Sequence, residues 1–169
     1  MSKTKAAPVA PPAAGDAAPE FDLPDGSGRR VSLRALRGRP VVLYFYPKDS
    51  TPGCTKEACA FRDGYAVFQK LGAEILGVSL DSQASHARFA GKYSLPFPLL
   101  SDEDGRVSRA YGAYGRKMTF GVKYLGIERS TFVIDRDGRL AAVFRKVKVD
   151  GHDREVLEIL RRLPGGAAR

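Results

Sequence analysis

The chain has 169 residues, of which 43% are hydrophobic, and its 28 lysines and arginines against 19 acidic residues give a net charge of +9. That is apolar material for one core and one domain with tails, and no apolar run approaches the roughly 20 residues of a membrane span. The excess positive charge is scattered, with no run of five like charges and no aromatic–basic platform, so it reads as solvated surface rather than as a nucleic-acid or anionic-surface site.

Residues 1–19 are mostly Ala and Pro, offer little to bury, and read as a disordered tail. The tail has neither the apolar core of a secretory signal nor the arginines of a transit peptide, so a cytoplasmic protein is expected. The domain is expected over 20–163, with 164–169 frayed. Glu20–Pro24 and Arg29–Leu33 read as short strands around an Asp25–Gly28 turn, the first at a sheet edge. Val41–Tyr46 is apolar on both faces, as in a central strand, and Pro47 stops it. Pro52–Leu71 carries Ala58, Phe61, Tyr65, Phe68 and Leu71 at spacings of three and four, which predicts an amphipathic helix. Thr51 is its N-cap, Pro52 its first residue and Gly72 its end.

Glu74–Ser79 reads as a strand, and Ser82–Tyr93 as a helix capped by Asp81 or Ser82. Phe97–Leu100 is a short extended piece, and Asp104–Tyr111 one or two helical turns. Residues 112–126 are glycine-rich without a period and read as a loop. Ser130–Ile134 and Leu140–Phe144 are strands about a hairpin turn at Asp135–Gly138. His152–Leu163 is a closing helix with Val156, Leu157, Ile159, Leu160 and Leu163 inward. Tyr44 and Phe45 belong to the core, and His86 and His152 are expected on solvated helix faces. The order is that of an α/β fold with a mixed central sheet flanked by helices.

The chemistry concentrates in residues 46–59, which hold both cysteines. Two cysteines are too few for a disulfide framework or a four-thiolate zinc site, and with His86 and His152 they lack zinc-ligand spacing. They are redox chemistry or inert core. Cys54 falls in the first turn of the predicted helix, where backbone N–H groups are unpaired and carry partial positive charge. Sulfur ionises more readily there, and the thiolate is the nucleophile. A thiol between the end of a central strand and the start of a helix suggests the thioredoxin-like arrangement.

The residues Pro47, Thr51 and Cys54 match a Pro-x-x-x-Thr-x-x-Cys signature, and Cys59 follows on the same helix. With Tyr44–Asp49, Glu57–Asp63, Phe97–Asp102 and Gly126–Asp135, the chain resembles the peroxiredoxins, in the subgroup called bacterioferritin comigratory protein or peroxiredoxin Q. The resemblance runs over about residues 15–163. It departs at Met118–Lys123, where a Met-Thr-Phe-Gly replaces the usual Met-Tyr-Gly.

The resemblance implies a thioredoxin-like fold and a thiol-dependent peroxidase without cofactor or metal. Cys54 would be the peroxidatic sulfur, attacking hydrogen peroxide or an organic hydroperoxide. Thr51, Arg129 and the N–H groups of Gly53 and Cys54 would position the peroxide. Pro47 would shield the sulfur, and Glu57 would orient Arg129. An ordinary thiol of pKa about 8.5 is only about 3% ionised at pH 7, whereas one of pKa about 6 is about 90% ionised. That gain of about thirtyfold is small beside enzymatic accelerations, so positioning must supply most of the rate.

By the same resemblance Cys59 resolves the Cys54 sulfenic acid as an intramolecular disulfide, recycled by thioredoxin or a similar dithiol. On a helix, residues five apart have Cα atoms about 8.6 Å apart and side chains about 140° apart, beyond the roughly 7 Å limit of a disulfide. The first turns of the helix must therefore unwind if the two sulfurs are to join. With both cysteines in one helix no second subunit is needed, and a monomer is expected. Two other readings stay open: a thiol–disulfide oxidoreductase acting on proteins, which would want the Cys-x-x-Cys this chain lacks, and a basic binding module.

Overall fold

The structure, a computed structural model, describes residues 10–119 and 121–164. Nine strands and four α-helices are laid out along these residues. They are β1 (Asp22–Pro24), β2 (Arg30–Ser32), β3 (Val41–Phe45), α1 (Pro52–Lys70), β4 (Glu74–Ser79), α2 (Gln83–Tyr93), β5 (Leu99–Ser101), α3 (Arg106–Ala110), β6 (Tyr114–Thr119), β7 (Val122–Ile127), β8 (Ser130–Ile134), β9 (Leu140–Arg145) and α4 (His152–Arg161).

A five-stranded sheet runs in the order β5-β4-β3-β8-β9. The strand expected to be central is central: β3 pairs in parallel with β4 and antiparallel with β8. Every residue of β3 is buried, and alternate side chains feed opposite faces. Val41, Leu43 and Phe45 point to the face covered by Phe21, Leu33 and Tyr111. Val42, Tyr44 and Tyr46 point to the face covered by α1, Phe89 of α2, and Val156 and Leu160 of α4. In α1, Ala58, Phe61 and Phe68 lie on the buried stripe that the spacing predicted. Gly72, at φ +75°, follows the helix. No helix among the described residues is long and apolar enough to cross a membrane.

β1 and β2 form a two-stranded sheet of their own, in which each is an edge, joined to the main one by a bridge from Asp25 to Leu100. Three expectations are corrected. Within residues 112–126, expected as a loop, β6 and β7 instead pair as an antiparallel hairpin, with Tyr114 opposite Ile127 and Thr119 opposite Val122. Gly121, at φ +76°, supplies the left-handed turn conformation there. Phe120, part of the segment that departs from the family pattern, lies outside the described residues.

The expected tail also reaches too far. Residues 1–9 lie outside the described residues, but Gly15, Asp16 and Ala18 exchange backbone hydrogen bonds with Leu140 and Gly138, and Ala18 is buried. A segment with few side chains to bury still offers backbone donors and acceptors, and here they pair with the outer strand β9. At the other end Pro164 is described, whereas 165–169 are not. Finally, His86 and His152 are buried, not solvated. His86 shares a face of α2 with Phe89, and His152 shares one of α4 with Val156 and Leu160.

Gly77 in β4 lies under the ring of Tyr44. A Cβ there would come within 2.9 Å of Tyr44 Cζ and Oη and 2.8 Å of Leu99 Cδ2. Gly77→Ala is expected to cost about 1–3 kcal/mol by overpacking, read as a lower urea midpoint at an unchanged denaturant slope.

Candidate active site

Pro47 ends β3 and Thr51 starts α1, so the intervening turn fixes where the helix begins. Ser50 takes φ +65°, the left-handed region that a residue with a side chain seldom occupies. Thr51 is the N-cap with extended backbone, and Thr55 N–H donates to its carbonyl at 2.9 Å. The Thr51 hydroxyl does not cap the helix. It donates to the Lys48 carbonyl at 2.8 Å, which uses its proton and leaves its lone pairs as acceptors. Among the described residues no side chain caps the first turn of α1, so its N–H groups are left for another acceptor.

Cys54 is buried in that turn, with 2% of its surface exposed. Arg129, between β7 and β8, reaches it: Nη2 donates to Cys54 Sγ at 3.3 Å, and Nη1 donates to Glu57 Oε1 at 2.7 Å. One guanidinium thus holds two residues one turn apart on α1. A Cβ on Gly53 would stand 3.2 Å from Arg129 Nη2, so the missing side chain makes room for the guanidinium. Pro47 is half-buried beside this turn in sequence. Cys59 is half-buried further along the same continuous helix, and both cysteines are free thiols.

The electrostatics are those of a buried pair. Burial pushes the Glu57 carboxyl up to about 7 against the pull of the Arg129 charge and hydrogen bond. Its second oxygen, Oε2, is buried without a hydrogen-bond partner among the described residues, which is why its charge is costly. Burial opposes the charge of Arg129 too, but Glu57 and Cys54 outweigh it and its pKa is raised. Tyr44 stands close by, its phenol fully buried and without a hydrogen-bond partner among the described residues. Burial, and then the charges of Glu57 and Cys54, push its ionisation well above the ordinary range.

The structure therefore brings Cys54, Glu57, Arg129 and Gly53 into contact, with Thr51 three residues before the sulfur. Cys59 is not brought to Cys54. Two buried groups near the site escaped the sequence reading. His86 Nδ1 and Asp49 Oδ2 meet at 2.8 Å with both side chains buried, and Tyr46 Oη donates to Asp49 at 2.6 Å. The spacing His86, Phe89, Ala90, Tyr93, one face of a helix, was the signal that His86 points inward. A broad groove of about 890 Å³, lined by residues including Phe21, Arg34 and Asp102, contains none of the site residues.

Residues 14–143 match the AhpC/TSA family. Peroxiredoxin Bcp of Bacillus subtilis is 49% identical over 147 residues, covering 87% of this chain and 94% of that one. Peroxiredoxin Bcp of Escherichia coli K12 is 45% identical over 148 residues, covering 88% and 95%. Among solved structures, the bacterioferritin comigratory protein of Xanthomonas campestris, studied for alkyl peroxide reduction, superposes with a TM-score of 0.80 at 45% identity, covering 83% of this chain and 90% of that one. A mutant of peroxiredoxin Q from Xylella fastidiosa superposes with a TM-score of 0.85 at 36% identity, covering 90% and 98%.

Glu57 makes stability depend on pH. Its pKa is about 7 in the folded site against an ordinary 4.5, so its proton favours the folded state. That contribution is fully present below about pH 4.5 and is lost as pH rises through about 7. The loss is on the order of 3 kcal/mol. Urea denaturation across this range should show a falling slope in the wild-type chain that Glu57→Gln lacks. Parallel curves for the two proteins would contradict the assignment.

Proposed function

The chain belongs to the AhpC/TSA family and is a thiol-dependent peroxidase, and we propose that its reaction runs through a sulfenic acid on Cys54 and a disulfide to Cys59. The observation that carries this reading is Arg129 Nη2 donating to Cys54 Sγ at 3.3 Å. A guanidinium hydrogen bond aims positive charge at the attacking sulfur, and the first-turn N–H groups of α1 point the same way.

In the proposed first step the Cys54 thiolate attacks one oxygen of ROOH. The S–O bond forms as the O–O bond breaks, and RO⁻ leaves and takes a proton from water. Cys54 is oxidised to the sulfenic acid and the peroxide is reduced to an alcohol, or to water when R is hydrogen. Thr51 Oγ1, its own proton committed to Lys48, accepts from the peroxide O–H. Arg129 and the N–H groups of Gly53 and Cys54 stabilise the departing charge. Pro47 keeps bulk water from the sulfur.

In the second step Cys59 Sγ displaces the sulfenic oxygen as water and closes the disulfide. The folded helix forbids this, so the first two turns of α1 unwind, and Cys54, Glu57 and Ala58 leave their buried positions. The opened disulfide is accessible to thioredoxin or a similar dithiol, which returns the chain to its two free thiols. Both sulfurs lie in one chain, so the cycle runs in a monomer. Organic hydroperoxides are included among the substrates because the Xanthomonas campestris relative was studied with alkyl peroxides. The chain is placed in the cytoplasm, where dithiol reductants keep thiols reduced.

Stopped-flow mixing with peroxide checks each role. Cys54→Ser should abolish peroxide consumption. Cys59→Ser should keep the first, single-turnover oxidation but stall with thioredoxin, leaving a sulfenic acid that a dimedone probe captures. Thr51→Val should slow the first step by about a hundredfold through lost positioning. Undiminished steady turnover by Cys59→Ser with thioredoxin would remove Cys59 from the cycle.

A further inference from the structure

His86 lies on α2, outside the set of residues that touch Cys54, and none of its surface is exposed. Its Nδ1 faces Asp49 Oδ2 at 2.8 Å and its Nε2 faces the Leu100 carbonyl of β5 at 3.0 Å. Both of these partners are acceptors, and the hydroxyls that also approach the ring, Tyr46 Oη at 3.3 Å from Nδ1 and Ser79 Oγ at 3.5 Å from Nε2, give their protons to Asp49 and Asp81. A neutral imidazole has one N–H and would set a lone pair against one of these oxygens, whereas an imidazolium satisfies both.

Asp49 is the other half of this contact. It accepts from Tyr46 Oη at 2.6 Å, from Ser85 Oγ at 2.8 Å and from His86. Burial pushes its carboxyl up, but the hydrogen bonds from His86 and Tyr46 outweigh that and hold it below the usual carboxylate range. Its backbone N–H donates to Asp81 Oδ2 at 2.9 Å, and Ser79 Oγ donates to the same oxygen at 2.6 Å. The titratable groups around His86 are thus Asp49 and Tyr46 in direct contact and Asp81 beyond Ser79.

Asp49 immediately precedes Ser50, the residue at φ +65°, which leads into Thr51 and the first turn of α1. A left-handed serine persists only where the surroundings over-determine it. The clamp on Asp49 fixes one side of that turn, and the Thr51 hydroxyl, bonded to the Lys48 carbonyl, fixes the other.

We propose that His86 is a positioning residue for the peroxidase reaction: as a buried imidazolium it clamps Asp49, and through the Ser50 turn it sets where the Thr51 hydroxyl stands relative to the peroxide. The inference rests on the peroxidase reading above. His86 touches neither sulfur nor substrate, so its removal should spoil the placement of Thr51 while leaving the contact of Arg129 with Cys54 intact.

The two effects separate by reagent. Reaction with hydrogen peroxide needs both the thiolate and the placement of Thr51, whereas alkylation by iodoacetamide needs the thiolate alone. In His86→Gln and Asp49→Asn, the second-order rate with hydrogen peroxide is expected to fall by about tenfold to a hundredfold, with the alkylation rate of Cys54 unchanged. Nitrogen-15 NMR of the wild-type chain at neutral pH should show protons on both ring nitrogens of His86, a reading that needs no variant to fold. A single ring proton, an unchanged peroxide rate in the folded variants, or an equal fall in both reactions would each overturn the proposal. Failure of the peroxidase reading itself would look different, because the wild-type chain would then not consume peroxide at all.

Discussion

The guanidinium of Arg129 fastens the first turn of α1 to the junction of β7 and β8, and the rest of the site is arranged around that contact. It reaches Glu57 and Cys54 at once, through a gap that exists because residue 53 has no side chain. A buried ion pair of this kind adds little net stability, because desolvation offsets the attraction, but removing one partner strands the other. Glu57 shows the cost directly, with its unpartnered Oε2 and its pKa near 7. The pair is therefore better at fixing geometry than at holding the helix shut.

This divides α1 into two unequal parts. Its first turns are tied down mainly by polar contacts: Arg129 with Glu57 and Cys54, and the exposed pair of Lys56 with Asp150. Its later turns are tied down by Phe61, which packs on Tyr44 and His152, and by Phe68, which packs on Phe61 in the same core. Apolar burial is worth about 1.5–3 kcal/mol for each such side chain, so the later turns resist opening and the earlier ones yield. Cys59 stands just before Phe61, at the boundary between the two parts. On the proposed cycle, the place where the helix can give way coincides with the stretch that must give way.

Much of this was legible in the sequence because the patterns are local. The apolar run Val41–Phe45 and the three–four spacing of α1 follow from how a strand and a helix meet a core. The conjunction of Thr51, Pro52 and Gly53 before Cys54 marks a helix start with a reactive sulfur. The contact of Glu57 with Arg129 joins residues 72 apart in sequence, and only family likeness pointed to it. What escaped depends on partners that no window contains. The hairpin β6–β7 is held by pairing with itself, and its glycines mimic a loop. Residues 13–18 are ordered in large part by the open edge of β9, whose backbone Gly15 and Asp16 meet at Leu140. His86 and His152 are polar residues at inward positions of helices, and a reading that ranks polarity above periodicity puts them outside.

On the proposed cycle, a folded first section of α1 serves the peroxide step and an unwound one serves the disulfide step. Hydrogen exchange read by mass spectrometry on peptides spanning 52–60 and 61–70 tests it most directly, in reduced protein and in protein oxidised by one equivalent of peroxide. Strong protection of both segments is expected in the reduced protein, and loss of protection in 52–60 alone once the Cys54–Cys59 disulfide has formed. Equal protection of 52–60 in both forms, with the disulfide present, would contradict it.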